Sequence, residues 1–315
     1  MMNSKYLIIK PTTACNFNCS FCSAKLLDIP FQKTFPKILE DYIYDYKPNS
    51  IIVTGGEPLI NTKEYFDKLI QIMESLSQDY TISLTSNLVL WYENPEKWDF
   101  LFKNPRIGVI TSFQYGGERK DSDDYNENRF IDLFNKFKER YGYALNFIYV
   151  VNENNEKYIE KACKLARKLG CKLKLNQQLP LGLSTNYYPR YKLLQNHIDM
   201  IKLGYSDVLE SLVSIKEHRC PFPSTSLKCT FGRVVYVDNN NQLHIENCED
   251  IMSTKDKIEI KIDALFEKCY TCKMFSLCNS CSINRYYTVD KEKQCNWVLN
   301  NIKDIETYLL RQNNE

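Results

Sequence analysis

Three thiols crowd one stretch of eight residues, Cys15-Asn16-Phe17-Asn18-Cys19-Ser20-Phe21-Cys22. Gaps of three and then two residues let a single tight loop wrap its sulfurs around one metal centre. A structural zinc site closes with four protein ligands, whereas three thiolates leave one iron of a four-iron cluster without a protein ligand. The loop is therefore open and reactive if it holds a cluster. The alternative is a zinc loop completed by a distant fourth ligand.

The other cysteines sharpen the choice. Of thirteen in the chain, three lie in this loop and eight lie between Cys220 and Cys295, with only Cys163 and Cys171 apart. Disulfides would suit a small secreted domain with a poor core, whereas so many thiols in a large chain point to metal. The eight are Cys220, Cys229, Cys248, Cys269, Cys272, Cys278, Cys281 and Cys295. The paired run from Cys269 to Cys281 would by itself also fit a zinc ribbon, and eight thiols suit two four-cysteine sites. Cys163 shares a helical stripe with Ile159, Ala162, Ala166 and Leu169, and Cys171 is in phase with strand leucines, so both read as small buried hydrophobes. His197, His218 and His244 belong to no metal-like spacing.

A chain of 315 residues with 43% hydrophobic content is expected to form one large domain, or a large domain with an appendage. Its 41 basic and 39 acidic residues leave a net charge of +2, which offers no generic footprint for nucleic acid or a membrane surface. The start, Met1-Met2-Asn3-Ser4-Lys5, is not a signal peptide. No stretch approaches the run of about 18 apolar residues that spans a bilayer. The protein is expected in the cytoplasm.

The elements that must position the thiols alternate regularly. Tyr6 to Ile9 predicts a strand before the cysteine loop, and Thr34 to Tyr46 a helix. Ser50 to Thr54 predicts a buried strand ended by Gly55-Gly56-Glu57-Pro58, where two glycines permit a turn and a close approach of another group to the backbone. Thr62 to Leu76 is an amphipathic helix with Phe66, Leu69, Ile70, Met73 and Leu76 on one stripe. Strands are predicted over Tyr80–Thr85, Arg106–Phe113, Tyr143–Val151 and Cys171–Leu179. A short helix follows the first of these, and longer helices run over Asn128–Arg140 and Asn155–Leu169, the last capped by Gly170. Alternation of this kind argues for parallel α/β units with right-handed crossovers, an incomplete version of the eight-stranded barrel with its chemistry at the strands' C-terminal ends. Strand parity then directs Ser83, Thr85, Asn87, Ser112, Gln114, Asn146, Asn152, Lys172, Lys174, Asn176 and Gln178 to an interior face.

The cysteine loop with Phe21 before its last thiol, and the Gly-Gly-Glu-Pro turn after the second strand, together resemble the radical SAM superfamily. The resemblance implies a 4Fe–4S cluster on Cys15, Cys19 and Cys22, whose open iron binds S-adenosylmethionine (SAM). It further implies that Gly55, Gly56, Glu57 and Pro58 form the turn that holds the methionyl amino group. Thr85-Ser86-Asn87 stands where relatives carry Thr-Asn-Gly, making Asn87 a ribose contact. Ser112 and Gln114 stand where many relatives have Ser-Leu-Asp-Gly, with the aspartate absent, and Asn152 is a further SAM contact.

The C-terminal thiols resemble the SPASM extension, which carries auxiliary 4Fe–4S clusters. By that resemblance Cys220, Cys229, Cys248 and Cys281 hold one cluster, and Cys269, Cys272, Cys278 and Cys295 the other. Leu243 replaces the usual glycine, and Cys278 to Cys281 is one residue shorter than typical. The expected fold is α/β: a partial (β/α)6 TIM-like barrel over residues 1–205, then a cysteine-rich auxiliary domain over 206–315 with a β-hairpin and a C-terminal helix. The resemblance implies an oxidoreductase that abstracts hydrogen from a peptide or small protein, served by a reductant such as flavodoxin or ferredoxin. About fourteen residues precede Cys15, so a leader peptide is expected to dock directly or through a separate leader-peptide-binding protein. Alternatives are a small-molecule radical dehydrogenase or rearrangement enzyme, and a non-catalytic zinc or iron–sulfur protein. Asp121, Asp123 and Asp124 are candidates for a loop base, but a solvated acidic loop is the favoured reading.

Overall fold

The computed structural model describes residues 6–22, 24, 27–77, 79–116, 119, 125–179, 186–212, 233–246, 271–274, 277–278 and 290–310. Among these residues eight strands form one sheet: β1 (Tyr6–Ile9), β2 (Ser50–Val53), β3 (Thr81–Thr85), β4 (Ile107–Ser112), β5 (Asn146–Val151), β6 (Leu173–Gln177), β7 (Arg233–Val237) and β8 (Leu243–Glu246). Their order in space is β6-β5-β4-β3-β2-β1-β7-β8. The first six are parallel neighbours in chain order, as one sense of right-handed crossover produces. This is the expected partial barrel.

The hairpin's place is new. β7 pairs in parallel with β1, Ile8 opposite Val234, and β8 returns antiparallel. Hence the hairpin, expected within residues 206–315 as part of an auxiliary domain, extends the sheet formed by β1 to β6. Asp238 sets its turn, accepting from the amides of Asn240 and Gln242 at 2.9 Å each.

The helices that cover the sheet start and stop where side chains dictate. Helix α1 (Lys37–Tyr46) begins after Pro36, three residues later than expected, because proline fixes its own extended entry. Helix α2 (Lys63–Leu76) is capped by the Thr62 hydroxyl and buries Tyr65, Phe66, Leu69, Ile72 and Met73. Short helices α3 (Val89–Glu93) and α4 (Asp99–Phe102) precede α5 (Glu127–Tyr141), which Asn126 caps and Gly142 ends in the left-handed region. Gly170 ends α6 (Ile159–Leu169) as expected. Helices α7 (Arg190–Lys202) and α8 (Lys291–Asn300) pack together at the β6 side.

Strand alternation sorts the two faces of the sheet. In β5, Phe147, Tyr149 and Val151 are buried under helices while Ile148 and Val150 are half-buried on the other face. Cys163 and Cys171 are buried, and burial pushes both thiols up to about 12. They serve as core residues.

One expectation is corrected. Asn146 opens β5 and accepts from the Lys172 amide at 3.0 Å. It therefore stands at the N-terminal rim, a strand's length from Asn152, and Lys172 is exposed beside it. Ser83 is also exposed.

Candidate active site at the barrel mouth

Everything that carries chemistry near the N-terminus gathers beyond the C-terminal ends of β1, β2 and β3. The cysteine loop leaves β1 through Thr12, whose buried hydroxyl accepts from the Ala14 amide at 3.0 Å. Thr13 ties the loop to the returning segment: its amide donates to the Ile29 carbonyl, and its hydroxyl accepts from the Ile29 amide, both at 3.1 Å. The turn after β2 then docks onto the loop. The amides of Gly56 and Glu57 donate to the carbonyls of Thr12 and Ala14, at 2.9 and 2.8 Å.

This clasp requires both glycines. Gly55 has φ +143°, and a Cβ there would lie 2.6 Å from the Thr12 carbonyl oxygen. At Gly56 it would lie 2.0 Å from the Ala14 carbonyl oxygen. Backbone touches backbone here, so no side chain fits.

Glu57 turns the same site into a three-way joint. Its carboxylate is buried and accepts from the Leu59 amide (3.0 Å), the Ser86 hydroxyl (2.6 Å) and the Asn87 amide (2.8 Å). Burial pushes its pKa up, opposed by those three donors and by the Arg119 charge. Asn87 completes the joint: its side-chain N–H donates to the Asn16 side chain at 2.7 Å and points at the Cys15 sulfur at 3.9 Å. Asn87 Oδ1 in turn accepts from the Val89 amide at 2.9 Å, at the start of α3.

The thiols themselves are arranged by the loop backbone. The Phe17 amide donates to the Cys15 sulfur at 3.3 Å, and the Cys22 amide to the Cys19 carbonyl at 3.2 Å. Phe17 is buried, held edge-on by Tyr125 at 5.0 Å and covered by the Arg119 guanidinium at 4.9 Å. Burial pushes the Cys15 thiol up to about 11; the Phe17 N–H opposes this, while Glu57, Cys19 and Cys22 reinforce it. Without a cationic partner Cys15 therefore stays protonated, and metal binding would be coupled to proton release. Among the described residues no three Cys, His, Asp or Glu side chains converge on a single-ion site. A four-iron cluster assigns each thiolate to a different iron. Three thiols on one strapped loop, with N–H donors near the Cys15 sulfur, fit that donor set.

The remaining expected contacts ring the same mouth. Ser112 is half-buried at the end of β4, and Gln114 is buried just past it. Asn152 is buried after β5, but its side-chain oxygen accepts from the amides of Asn154 and Asn155, at 3.0 and 3.1 Å. It shapes the turn into the next helix while also lining a cavity. That cavity, of about 450 Å³, opens beyond β5 and β6 against α8 and is lined in part by Asn152, Gln178, Tyr188, Tyr191, Lys293 and Gln294.

Of the C-terminal thiols, Cys278 is buried and Cys272 and Cys295 are half-buried. Cys220, Cys229, Cys248, Cys269 and Cys281 lie outside the described residues, as do His218, Asp121, Asp123 and Asp124. His197 is wholly buried between the Leu193 carbonyl and the Ser211 hydroxyl, at 2.8 and 2.7 Å, a core histidine. Asn16, Ser86, Arg119 and Gln294 were not foreseen. Ser86 adjoins a residue already singled out, whereas Arg119 has no local signal because its neighbours in space, Phe17 and Glu57, are remote in the chain.

A parallel partial barrel with a three-thiol loop at the mouth and a double-glycine clasp defines the class. Residues 9–166, half of the chain, match the Radical SAM superfamily, and the chain belongs to it. Membership brings one 4Fe–4S cluster and SAM. Among solved structures, native anSMEcpe with bound AdoMet and Cp18Cys peptide is similar with a TM-score of 0.64 and 17% identity, over 96% of this chain and 99% of that one. Streptococcus suis SuiB bound to precursor peptide SuiA is similar with a TM-score of 0.59 and 16% identity, over 89% of this chain and 73% of that one. No curated protein matches. Among the described residues, no helix is long and apolar enough to cross a membrane.

Proposed function

We propose that the protein is a radical SAM oxidoreductase that acts on a peptide or small protein, introducing an oxidative modification or a cross-link. The observation that carries this reading is the clasp joining the cysteine loop, the Gly55–Pro58 turn and Asn87. Bound at the mouth, the cluster and SAM would supply a 5′-deoxyadenosyl radical, which takes a substrate hydrogen and leaves 5′-deoxyadenosine, methionine and a substrate radical.

The chain's own residues prepare that chemistry. Cys15, Cys19 and Cys22 would ligate the cluster, and the clasp fixes their loop against the turn that would receive the methionyl group. Asn87, Ser112, Gln114 and Asn152 present neutral hydrogen-bonding groups, able to orient a ribose and a carboxylate without adding charge. Ser86, Asn87, Phe113 and Gln114, buried at the rims of β3 and β4, would keep bulk water from the reacting atoms.

Two further points support a peptide substrate and auxiliary clusters. Both similar structures carry peptide ligands by description, and the cavity beside α8 is lined by amides and tyrosines suited to a peptide backbone and a side chain. Its wall is built partly from the helix that carries Cys295, one of the eight thiols assigned to two auxiliary 4Fe–4S clusters. The residual electron of an oxidised substrate would pass to these. Flavodoxin or ferredoxin would supply the priming electron, and a separate leader-binding protein could deliver the peptide.

The reading is tested by incubating the reduced, iron-loaded protein and SAM with short peptides deuterated at their Cα and Cβ positions. Deuterium in 5′-deoxyadenosine and a mass loss in the peptide are expected. Deuterium arriving only from small-molecule candidates would move the assignment to the dehydrogenase or rearrangement class.

A further inference from the structure

We infer that Gln294 donates a hydrogen bond to the sulfur of Cys278 and thereby sets the redox potential of the cluster which that thiolate ligates; this rests on the reading of the C-terminal cysteines as iron–sulfur ligands. Gln294 sits in the first turn of α8, next to Cys295, and is 2% exposed. Its amide nitrogen lies 3.0 Å from the Cys278 carbonyl oxygen and 3.2 Å from the Cys278 sulfur. The carbonyl can only accept, so the NH2 end of the amide must face Cys278. One N–H serves the backbone, and the other is aimed at the thiol.

The Cys278 backbone is anchored as well. The Cys278 amide donates to the Met274 carbonyl at 3.0 Å, and Met274 and Leu277 are buried in the main core. Cys278 is thus fixed in place among the described residues.

A purely architectural reading would make Gln294 a tie between α8 and the turn at residue 278. That reading explains one hydrogen bond and leaves two facts unexplained. The donor is also directed at sulfur, and Gln294 Oε1 is buried with no hydrogen-bond partner among the described residues. A buried acceptor left unmade is costly. The amide is retained, we reason, for what its N–H does to the sulfur. A hydrogen bond to a ligating thiolate stabilises negative charge, so it favours the reduced cluster and raises its potential. Gln294 also lines the cavity beyond β5 and β6, so an occupant of that cavity would adjoin a donor to the Cys278 sulfur.

The test removes the signal of the SAM-binding cluster and reads the remaining potentials directly. The full chain with Cys15, Cys19 and Cys22 each changed to Ala is loaded anaerobically with iron and sulfide, then titrated potentiometrically with electron paramagnetic resonance. Gln294→Leu in this background should keep its iron content and move a midpoint to lower potential. Gln294→Met, close in size but without an N–H to donate, should move it in the same direction and keeps the test alive if the leucine variant does not fold. Iron loading equal to the parent with unmoved midpoints in a folded variant would overturn the inference while leaving the iron–sulfur reading standing. A parent that takes up no iron would instead overturn that reading, and the inference with it.

Discussion

Changing Gly56 to alanine should break the clasp that holds the cysteine loop. The added methyl carbon would lie 2.0 Å from the Ala14 carbonyl oxygen and 2.7 Å from the carbonyl carbons of Ala14 and Thr13. All three are backbone atoms, so no rotamer change relieves the overlap. Restoring a carbon–oxygen contact of about 3.3 Å requires a retreat of roughly 1.3 Å. That retreat would stretch the two amide bonds from Gly56 and Glu57, now 2.9 and 2.8 Å, beyond hydrogen-bonding range. Two backbone hydrogen bonds at about 1 kcal/mol each, together with about 1–3 kcal/mol for overpacking, give a loss of about 3–5 kcal/mol. At about 2 °C per kcal/mol for a chain of this size, Tm should fall by roughly 6–10 °C. Gly170→Ala is the control. Gly170 has φ +67° but nothing within 4 Å, so only left-handed strain of about 1 kcal/mol applies. Thermal unfolding of both variants, with iron content measured after loading, is the assay. A Gly56→Ala protein with the melting point and iron content of the parent would refute the argument that backbone contact fixes the loop.

Other consequences concern the scaffold. Burial lowers the pKa of His197 to about 4, so the unfolded chain binds a proton there between about pH 6.5 and pH 4 while the native state does not. Stability is therefore complete above pH 6.5 and falls by up to about 3 kcal/mol on the way down to pH 4; His197→Gln should flatten that part of the urea-denaturation profile. Asp99 accepts two 2.7 Å bonds from Arg140 and one of 2.8 Å from Tyr141, and Arg140 holds its carboxyl far below the usual range. Asp99→Asn should cost about 1–2 kcal/mol at pH 7, seen as a lower denaturation midpoint with an unchanged slope. Asn87→Leu should lower the affinity for SAM, measured by equilibrium dialysis, because it removes the Asn16 contact and the acceptor for the Val89 amide together.

The order of elements was legible because each strand and helix carries its own period and stop signal. Gly142 and Gly170 end their helices in the left-handed region, and β5 alternates buried and half-buried residues as its sequence implies. Boundaries moved where a neighbour overrode the pattern. Tyr143 looked like strand, yet its ring lies 5.3 Å from Phe137 and packs on helix α5, so β5 begins at Asn146. The pairing of β7 with β1 could not be read locally, since a strand's partner is chosen by the whole sheet. Two glycines announced a close approach, and the structure names the group that approaches: the cysteine loop itself. The role of Glu57 as an internal brace was hidden, because Ser86 and Asn87 are about thirty residues away in the chain.

The claim that this mouth generates a radical from SAM is tested most directly by 5′-deoxyadenosine formation. The iron-loaded protein, reduced anaerobically with dithionite in the presence of SAM, should release 5′-deoxyadenosine and methionine, and the Cys15→Ala variant should release none. A fully iron-loaded, reduced parent that binds SAM yet forms no 5′-deoxyadenosine would contradict the account.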